Sequence, residues 1–275
     1  MKYAKPTISD IHDVMESLGV ESYDKLKSDL ERVCSELASR FDLYDRSGRP
    51  RAATILDILA ESTCTCCISR NLSETDNPKR IDGIYSEVHK LAVSILIEEL
   101  YEKCSSLGYS VSILSEAQTK YGKADVLIRP TRIGVALQHG ATELIVEVKT
   151  GVSLSIPQIF RYLLDKENQT VILWRIRNRQ VLTFSGVQFN ALLRRYMKTC
   201  ILRGQRLLSS TEPVSCKHAL HIEWTPTQDN LQEMLEDFST ALIETLPCVA
   251  NTILQKLGLG LDCTISSHEI RNDAG

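Results

Sequence analysis

An acid and an amine stand two residues apart in a segment rich in aliphatic and β-branched residues. They are Glu147 and Lys149, within the sequence ELIVEVKTG that starts at Glu143. Because side chains alternate across a strand, a strand here points both groups to one face. Burying a charge is costly unless it is paired or binds an ion. We therefore expect the pair to form part of a reactive site at the carboxyl end of the strand; an ordinary ion pair on a solvated edge strand is the alternative.

A second acid opens another apolar run. Asp125 precedes the sequence VLI, after YGKA. If the two strands pair as a hairpin through residues 129–142, Asp125 lies beside Glu147. Two carboxylates, the Val148 carbonyl and water form an oxygen-rich site that suits Mg²⁺ or Mn²⁺ better than zinc. Such an ion would activate water and neutralise a scissile phosphate, while Lys149 would orient the water and balance negative charge. An unrelated surface Asp is the alternative.

The spacing of these residues resembles a known family. Asp125, followed twenty-two residues later by Glu147-Val148-Lys149, is similar to the PD-(D/E)xK nuclease superfamily, with Ala124 in place of the proline. The resemblance implies a restriction-endonuclease-like core of order α-β-β-β-α-β that hydrolyses phosphodiesters. It also implies a Glu from the preceding helix.

The predicted helix before the strands offers two acids for that position. Its apolar stripe is marked by Ile84, Val88, Leu91 and Ile95. Glu87 lies near this stripe rather than on the opposite side of the helix. Glu87 is therefore the preferred match and Glu98, with nearly the same helical phase, the second choice. His89 is interpreted as a surface or packing histidine rather than a ligand.

A further motif follows on the next predicted helix. Gln158 and Tyr162 are four residues apart and so share a helical face. QIFRY resembles the QxxxY motif of RecB-like nucleases, which implies that both side chains position the nucleic-acid strand near the active site. The resemblance extends over about residues 81–184.

Periodicity predicts an α/β fold in which a mixed sheet is flanked by helices. The expected strands are Tyr109–Leu114, Ala124–Arg129, Glu143–Lys149, Val171–Arg177 and Gln180–Phe184, with a helix over Gln158–Asp165 before the fourth. We divide the chain into a helical N-terminal region (1–75), a nuclease core with a basic helix (76–208) and a helical C-terminal region (209–275). Apolar stripes at Tyr23–Leu37 and Leu231–Leu242 could seal either the core or a contact with a second copy or protein partner.

Basic residues are concentrated after the catalytic strands. Ten lie between Arg161 and Arg206 against two acids, whereas seven acids face one lysine between residues 207 and 247. This asymmetry predicts a polyanion-binding face, with DNA the favoured partner and phosphate contacts that do not read sequence; a solvated helix surface is the alternative. The candidates are Arg161, Arg175, Arg177, Arg179, Arg194, Arg195 and Lys198.

Nine scattered cysteines argue against a disulfide framework. Cys64, Cys66 and Cys67 cluster and could ligate zinc or an iron–sulfur cluster, although reduced, partly buried thiols are the preferred interpretation. The start of the chain lacks an apolar run typical of a signal peptide, and no stretch is long enough to span a bilayer, which predicts a cytoplasmic protein.

The sequence thus predicts a metal-dependent nuclease. Two other functions remain open at this point: a non-catalytic nucleic-acid-binding scaffold of the same fold, and a cysteine-metal interaction protein.

Overall fold

A computed structural model describes residues 21–62, 65–73, 83–131, 143–151, 156–164, 169–210 and 228–259. Seven helices and five strands are found in these ranges. In chain order they are α1 (Tyr23–Phe41), α2 (Ala52–Glu61), α3 (Thr65–Ser73), α4 (Gly83–Ser106), β1 (Ser110–Thr119), β2 (Gly122–Thr131), β3 (Leu144–Lys149), α5 (Ile156–Leu163), β4 (Thr170–Arg175), β5 (Gln180–Ser185), α6 (Asn190–Ser209) and α7 (Gln228–Lys256).

The strands form one mixed sheet in the order β1-β2-β3-β4-β5. The only parallel neighbours among them are β3 and β4, which α5 connects, and the other three pairs are antiparallel. Parallel neighbours require such a crossover, whereas antiparallel neighbours can be joined by tight turns. The predicted α/β class with a mixed sheet is confirmed.

Helices cover both faces of the sheet. On one face, α1, α2, α5 and α6 share a core with inward side chains of the sheet such as Ile145 and Leu173. On the other face, α4 and α7 pack on side chains such as Val146 and Trp174. The helices from both ends of the chain therefore contribute to the same cores as the sheet, and the boundaries at 75 and 208 do not separate independent cores.

The two apolar stripes are used inside the molecule. Leu26, Leu30, Val33 and Leu37 of α1 are fully buried against the first face of the sheet and its helices. Phe238 and Leu242 of α7 are buried on the second face; the side chains of Leu231 and Met234 lie outside the described residues. The stripe of α1 therefore seals the core and is not available to a second copy or a protein partner.

The buried side of α4 differs from the predicted one. Its core residues are Ala92, Val93, Leu96, Leu100 and Cys104. Leu91, which we expected in the stripe, is 55% exposed. The helix is thus rotated relative to the prediction, which changes the polar residues that it turns toward the sheet.

Within the described residues, none of the helices is both long and apolar enough to cross a membrane.

Candidate active site

The carboxyl end of β3 carries a buried carboxylate beside an amine. Glu147 lies on the same side of β3 as the core residue Ile145, and only 2% of its surface is exposed. The Nζ of Lys149 lies 2.8 Å from Glu147 Oε1 and donates a second hydrogen bond of 2.8 Å to Gln158 Oε1. The expectation that strand alternation brings Glu147 and Lys149 together is met in the structure.

Helix α5 closes the other side of this carboxylate. Gln158 Nε2 donates to Glu147 Oε1 and, at 3.2 Å, to the hydroxyl of Tyr162. That hydroxyl lies 3.0 Å from Glu147 Oε2 and 2.6 Å from the carbonyl of Lys123 on β2. Gln158 and Tyr162, one helical turn apart, thus hold both oxygens of Glu147 in place. Sequence reasoning did not identify the Lys123 carbonyl, because a backbone contact leaves no trace in residue type.

Asp125 lies where the pairing of β2 with β3 stops. The register pairs Val126 with Val146, so that Asp125 comes opposite Glu147. The backbone N–H of Val148 donates a 2.8 Å hydrogen bond to Asp125 Oδ2. The Asp125 carboxylate therefore accepts a hydrogen bond that a backbone carbonyl would accept if the antiparallel pairing of β2 and β3 continued. This contact fixes Asp125 beside Glu147, as the hairpin prediction required.

His89 is the residue of the site that sequence reasoning set aside. Its Nε2 lies 3.1 Å from Asp125 Oδ1. A hydrogen bond to Asp125 raises the pKa of His89, against the opposing effect of burial. His89 precedes Val93 and Leu96 on the buried side of α4, and that apolar spacing is the signal that could have identified it.

Glu87 is not brought to the site. It is 72% exposed, and its carboxylate accepts a 2.8 Å hydrogen bond from Lys90. Glu98 is also exposed. Because Glu87 and His89 are two residues apart on a helix, they point in nearly opposite directions, and the observed rotation of α4 selects His89.

Burial and like charge set the electrostatics of the two acids. Desolvation raises the pKa of Glu147, and the neighbouring carboxylate of Asp125 raises it further, although Lys149 and Tyr162 act in the opposite direction. Burial also raises the pKa of the Tyr162 hydroxyl, so it remains a neutral donor. A pair of close carboxylates with one lysine carries excess negative charge, which a bound cation would offset.

The predicted basic face is largely engaged in internal contacts. Arg161, only 6% exposed, pairs with Asp57 of α2 and donates to the carbonyl of Tyr121. Arg179 pairs with Asp237 and Glu244 of α7. Arg161 is thus committed to an internal contact, in place of the phosphate contact that we predicted. Arg179 links its turn to α7 but its side chain is 44% exposed, so its phosphate contact stays a prediction.

The other candidate basic residues of the predicted polyanion-binding face are partly buried or exposed. Arg194 donates to the Glu21 carbonyl and to Asn190, and Lys198 forms a 3.6 Å ion pair with Glu21. Arg177 and Arg195 are exposed on the surface. Arg175 is the candidate nearest to the site, because its register partner on β3 is Lys149.

The cysteine prediction is only partly covered by the structure. Cys64 and the side chain of Cys66 lie outside the described residues, and Cys67 is half-buried. Across the described ranges, the candidate site included, no three His, Cys, Asp or Glu side chains converge as a metal-binding group. The candidate site accordingly offers two carboxylates, with further ligands required from backbone or water.

Comparisons with protein-family models, with curated proteins and with solved structures found no match. Function must therefore be inferred from the geometry of the cluster around Glu147.

Proposed function

We propose that this chain is a divalent-metal-dependent nuclease that hydrolyses phosphodiester bonds, with a restriction-endonuclease-like core. The observation that carries the proposal is the buried Glu147, which Lys149, Gln158 and Tyr162 hold beside Asp125. A strained or costly group is retained where function needs it, and a buried carboxylate pair is costly. The order of helices and strands, with a parallel β3–β4 pair joined by α5, supports the same core.

The chemistry of the donor set fits a hard divalent cation. Asp125 and Glu147 would hold Mg²⁺ or Mn²⁺, with the Val148 carbonyl as a candidate third ligand. A bound ion would supply positive charge for the scissile phosphate and for an attacking water. Burial is the main cause of the raised pKa of Glu147, and the nearby Asp125 carboxylate raises it further; a bound cation would offset this second, like-charge contribution.

The protein's own side chains would orient the attacking water and the phosphate and would hold the two carboxylates in place. Lys149, held by Glu147 and Gln158, would present its remaining ammonium hydrogen to water or to a phosphate oxygen. Gln158 and Tyr162 would keep both Glu147 oxygens in a fixed position, and His89 would do the same for Asp125. Preorganised groups of this kind lower the barrier because they need little rearrangement during the reaction.

DNA is the favoured substrate on the strength of the resemblance to RecB-like nucleases. Arg175 supports a polyanionic substrate, since it lies beside Lys149 in the sheet register and on the same face. Its guanidinium would bind phosphate rather than bases, so cleavage would not depend on sequence.

The test is cleavage of labelled single-stranded DNA, duplex DNA and RNA with Mg²⁺ or Mn²⁺. Glu147→Ala and Lys149→Ala should each lower the rate by about 10²–10³-fold or more, since each removes a charged group from the reacting centre. Lys103→Ala, which removes one member of a surface ion pair with Glu99 on α4, is the matched control and should cleave normally.

Cleavage by the Glu147 and Lys149 variants at the wild-type rate would overturn the proposed catalytic site. If no protein cleaves and the variants keep salt-sensitive DNA binding, the chain is a nucleic-acid-binding scaffold.

A further inference from the structure

A cleft with a volume of about 530 Å³ lies beside the candidate active site. Its walls are the middle of α1, the segment 45–54 that leads into α2, and residues 118–123 where β1 turns into β2. Binding sites for small molecules commonly have volumes of about 300–1,000 Å³. The cleft is therefore large enough for part of a single nucleic-acid strand.

The charged residues of this cleft are mainly basic. Four basic residues line it, against two acids, and they are Arg49, Arg51, Lys120 and Lys123, with Glu31 and Asp45. Both acids are already neutralised. Asp45 pairs with Arg49, and Glu31 accepts hydrogen bonds from Lys120 and from the hydroxyl of Tyr121.

The basic groups remain accessible to a ligand. Arg49 and Lys120 are about half or more exposed, and so is Lys123, which pairs with the exposed Glu116. Exposed ion pairs contribute little to stability, so a polyanion can compete with these acids for the cations.

The start of α2 adds to the positive potential. The helix begins at Ala52 without a side-chain cap and without an acid in its first turn. Ala52, Ala53 and Thr54 line the cleft. The N–H of Ala52 donates to the Pro50 carbonyl, so the helix start contributes mainly through its dipole, whose positive end favours anions. The same wall thus combines basic side chains with a helix dipole.

The turn between β1 and β2 connects the cleft to the catalytic cluster. The carbonyl of Lys123 accepts a hydrogen bond from Tyr162, which also contacts Glu147, while Lys123 itself lines the cleft. Arg161 braces the same turn through the Tyr121 carbonyl. One rigid turn therefore forms a wall of both the cleft and the site.

We propose that this cleft binds a phosphate of the nucleic-acid strand whose neighbouring phosphodiester lies at Glu147. The proposal rests on the proposed nuclease function. Tyr121, the one aromatic residue in the lining, is 2% exposed and cannot stack on a base. The cleft therefore binds phosphate without reading sequence, and the phosphate is either internal to the strand or at its end.

The test is binding of labelled single-stranded oligonucleotides, with and without a 5′ phosphate, in metal-free buffer over a range of salt concentrations. The variant Arg49→Ala/Lys120→Ala should lower the slope of log Kd against log salt by about 0.7, since the cleft binds one phosphate and each neutralised phosphate of a single strand contributes about 0.7. The control is Lys25→Ala/Arg32→Ala, which removes two exposed, ion-paired cations of α1 outside the cleft. It should keep the wild-type slope.

A comparison of the two oligonucleotides distinguishes a terminal phosphate from an internal one. A loss confined to the 5′-phosphorylated strand assigns the cleft to a terminal phosphate, and an equal loss with both strands assigns it to an internal one. Since Arg49 also bonds within its own turn, Lys120→Ala is measured alone and should lower the slope in the same direction, by at most about 0.7.

Equal slopes for the cleft and control variants would overturn the proposal. A competition experiment gives a second such outcome. If poly-aspartate displaces the labelled strand from the wild-type protein as well as DNA of equal charge does, the proposal is overturned, because the cleft would then suit an acidic polypeptide. A wild type that cleaves DNA while the cleft variants bind normally refutes only the cleft. A cleft-dependent slope in a protein that never cleaves refutes only the nuclease.

Discussion

At the scale of single residues, the position of Glu147 is determined by side chains of α5 and of its own strand, β3. Tyr162 and Gln158 of α5 contact its oxygens, and Lys149 balances its charge. Asp125, by contrast, is held by the backbone of Val148 and by His89 of α4. The two acids thus depend on different helices, on opposite faces of the sheet.

Removing the Tyr162 hydroxyl should weaken the site without abolishing it. Tyr162→Phe removes the hydroxyl that lies within hydrogen-bond distance of the Lys123 carbonyl and of Glu147 Oε2, and whose single hydrogen can donate to one of them. We expect about 10–100-fold lower activity or metal affinity and a loss of about 1–3 kcal/mol in the free energy of unfolding. The measurements are the Mg²⁺ dependence of cleavage and urea denaturation. Tyr101→Phe, an exposed tyrosine on α4, is the control, and an equal effect there would contradict a positioning role.

The contact between His89 and Asp125 predicts a pH dependence in metal-free protein. Because the pKa of His89 is raised above 6.5, its contribution to stability is fully present below about pH 6.5 and is lost as pH rises through the folded-state value. His89→Gln should therefore lower the free energy of unfolding more at pH 5.5 than at pH 8.5. Urea denaturation at both pH values measures this difference. In an Asp125→Asn background the difference should disappear; its persistence would show that another partner raises the pKa.

At the scale of elements, helix packing decides which side chains reach the sheet. The rotation of α4 buries Ala92 and Leu96 and brings His89, rather than Glu87, to Asp125. On the other face, α1 and α6 approach closely at Gly204, where a Cβ would overlap the Cγ1 of Val33. A helical glycine is otherwise a cost, so its presence is explained by this approach.

Gly204→Ala should destabilise the protein although alanine favours helix. Overpacking at the contact with Val33 costs about 1–3 kcal/mol. The gain in helix propensity from glycine to alanine is about 1 kcal/mol, so the cost of overpacking is the larger of the two over most of its range. Val33→Ala should reduce the cost of Gly204→Ala, because it removes the overlapping methyl group. A double-mutant cycle from urea denaturation measures the coupling, and additive effects would contradict close packing at this point.

At the scale of the whole molecule, long basic side chains hold the helices to one another. Arg40 donates to carbonyls at the end of α6, and Arg203 donates to the Leu59 and Ala60 carbonyls at the end of α2. Cations stabilise the carboxyl ends of helices, where carbonyls lack partners. Much of the basic block is thus explained by architecture, and the basic cleft lies in another part of the sequence.

Helix α7 is fixed to the sheet by one buried hydrogen bond in addition to apolar contacts. Trp174 Nε1 donates a 2.8 Å bond to Thr245 Oγ1, whose own hydroxyl bonds Ala241 in the previous turn. Thr245→Val should cost about 1–3 kcal/mol because it leaves the indole N–H buried without an acceptor. Thr252→Val removes a hydroxyl that bonds only within the helix, and it is the control. Denaturation followed by tryptophan fluorescence measures both, and equal losses would refute the docking role.

The sequence by itself determined the strands, their mixed sheet and the juxtaposition of Asp125, Glu147 and Lys149. Alternation along β3 and the hairpin between β2 and β3 follow from local patterns of apolar and polar residues, which is why they could be predicted. The spacing of Gln158 and Tyr162 likewise placed both on one face of α5.

The tertiary structure decided which helix faces and which charges are available. The apolar stripe of α4 is broad enough for two interpretations, and only packing on the sheet selected His89 over Glu87. The cation of Arg161 looks like an exposed one in the sequence, but it is buried in a pair with a distant partner, Asp57. Such contacts join residues far apart in the chain, so no local pattern can specify them.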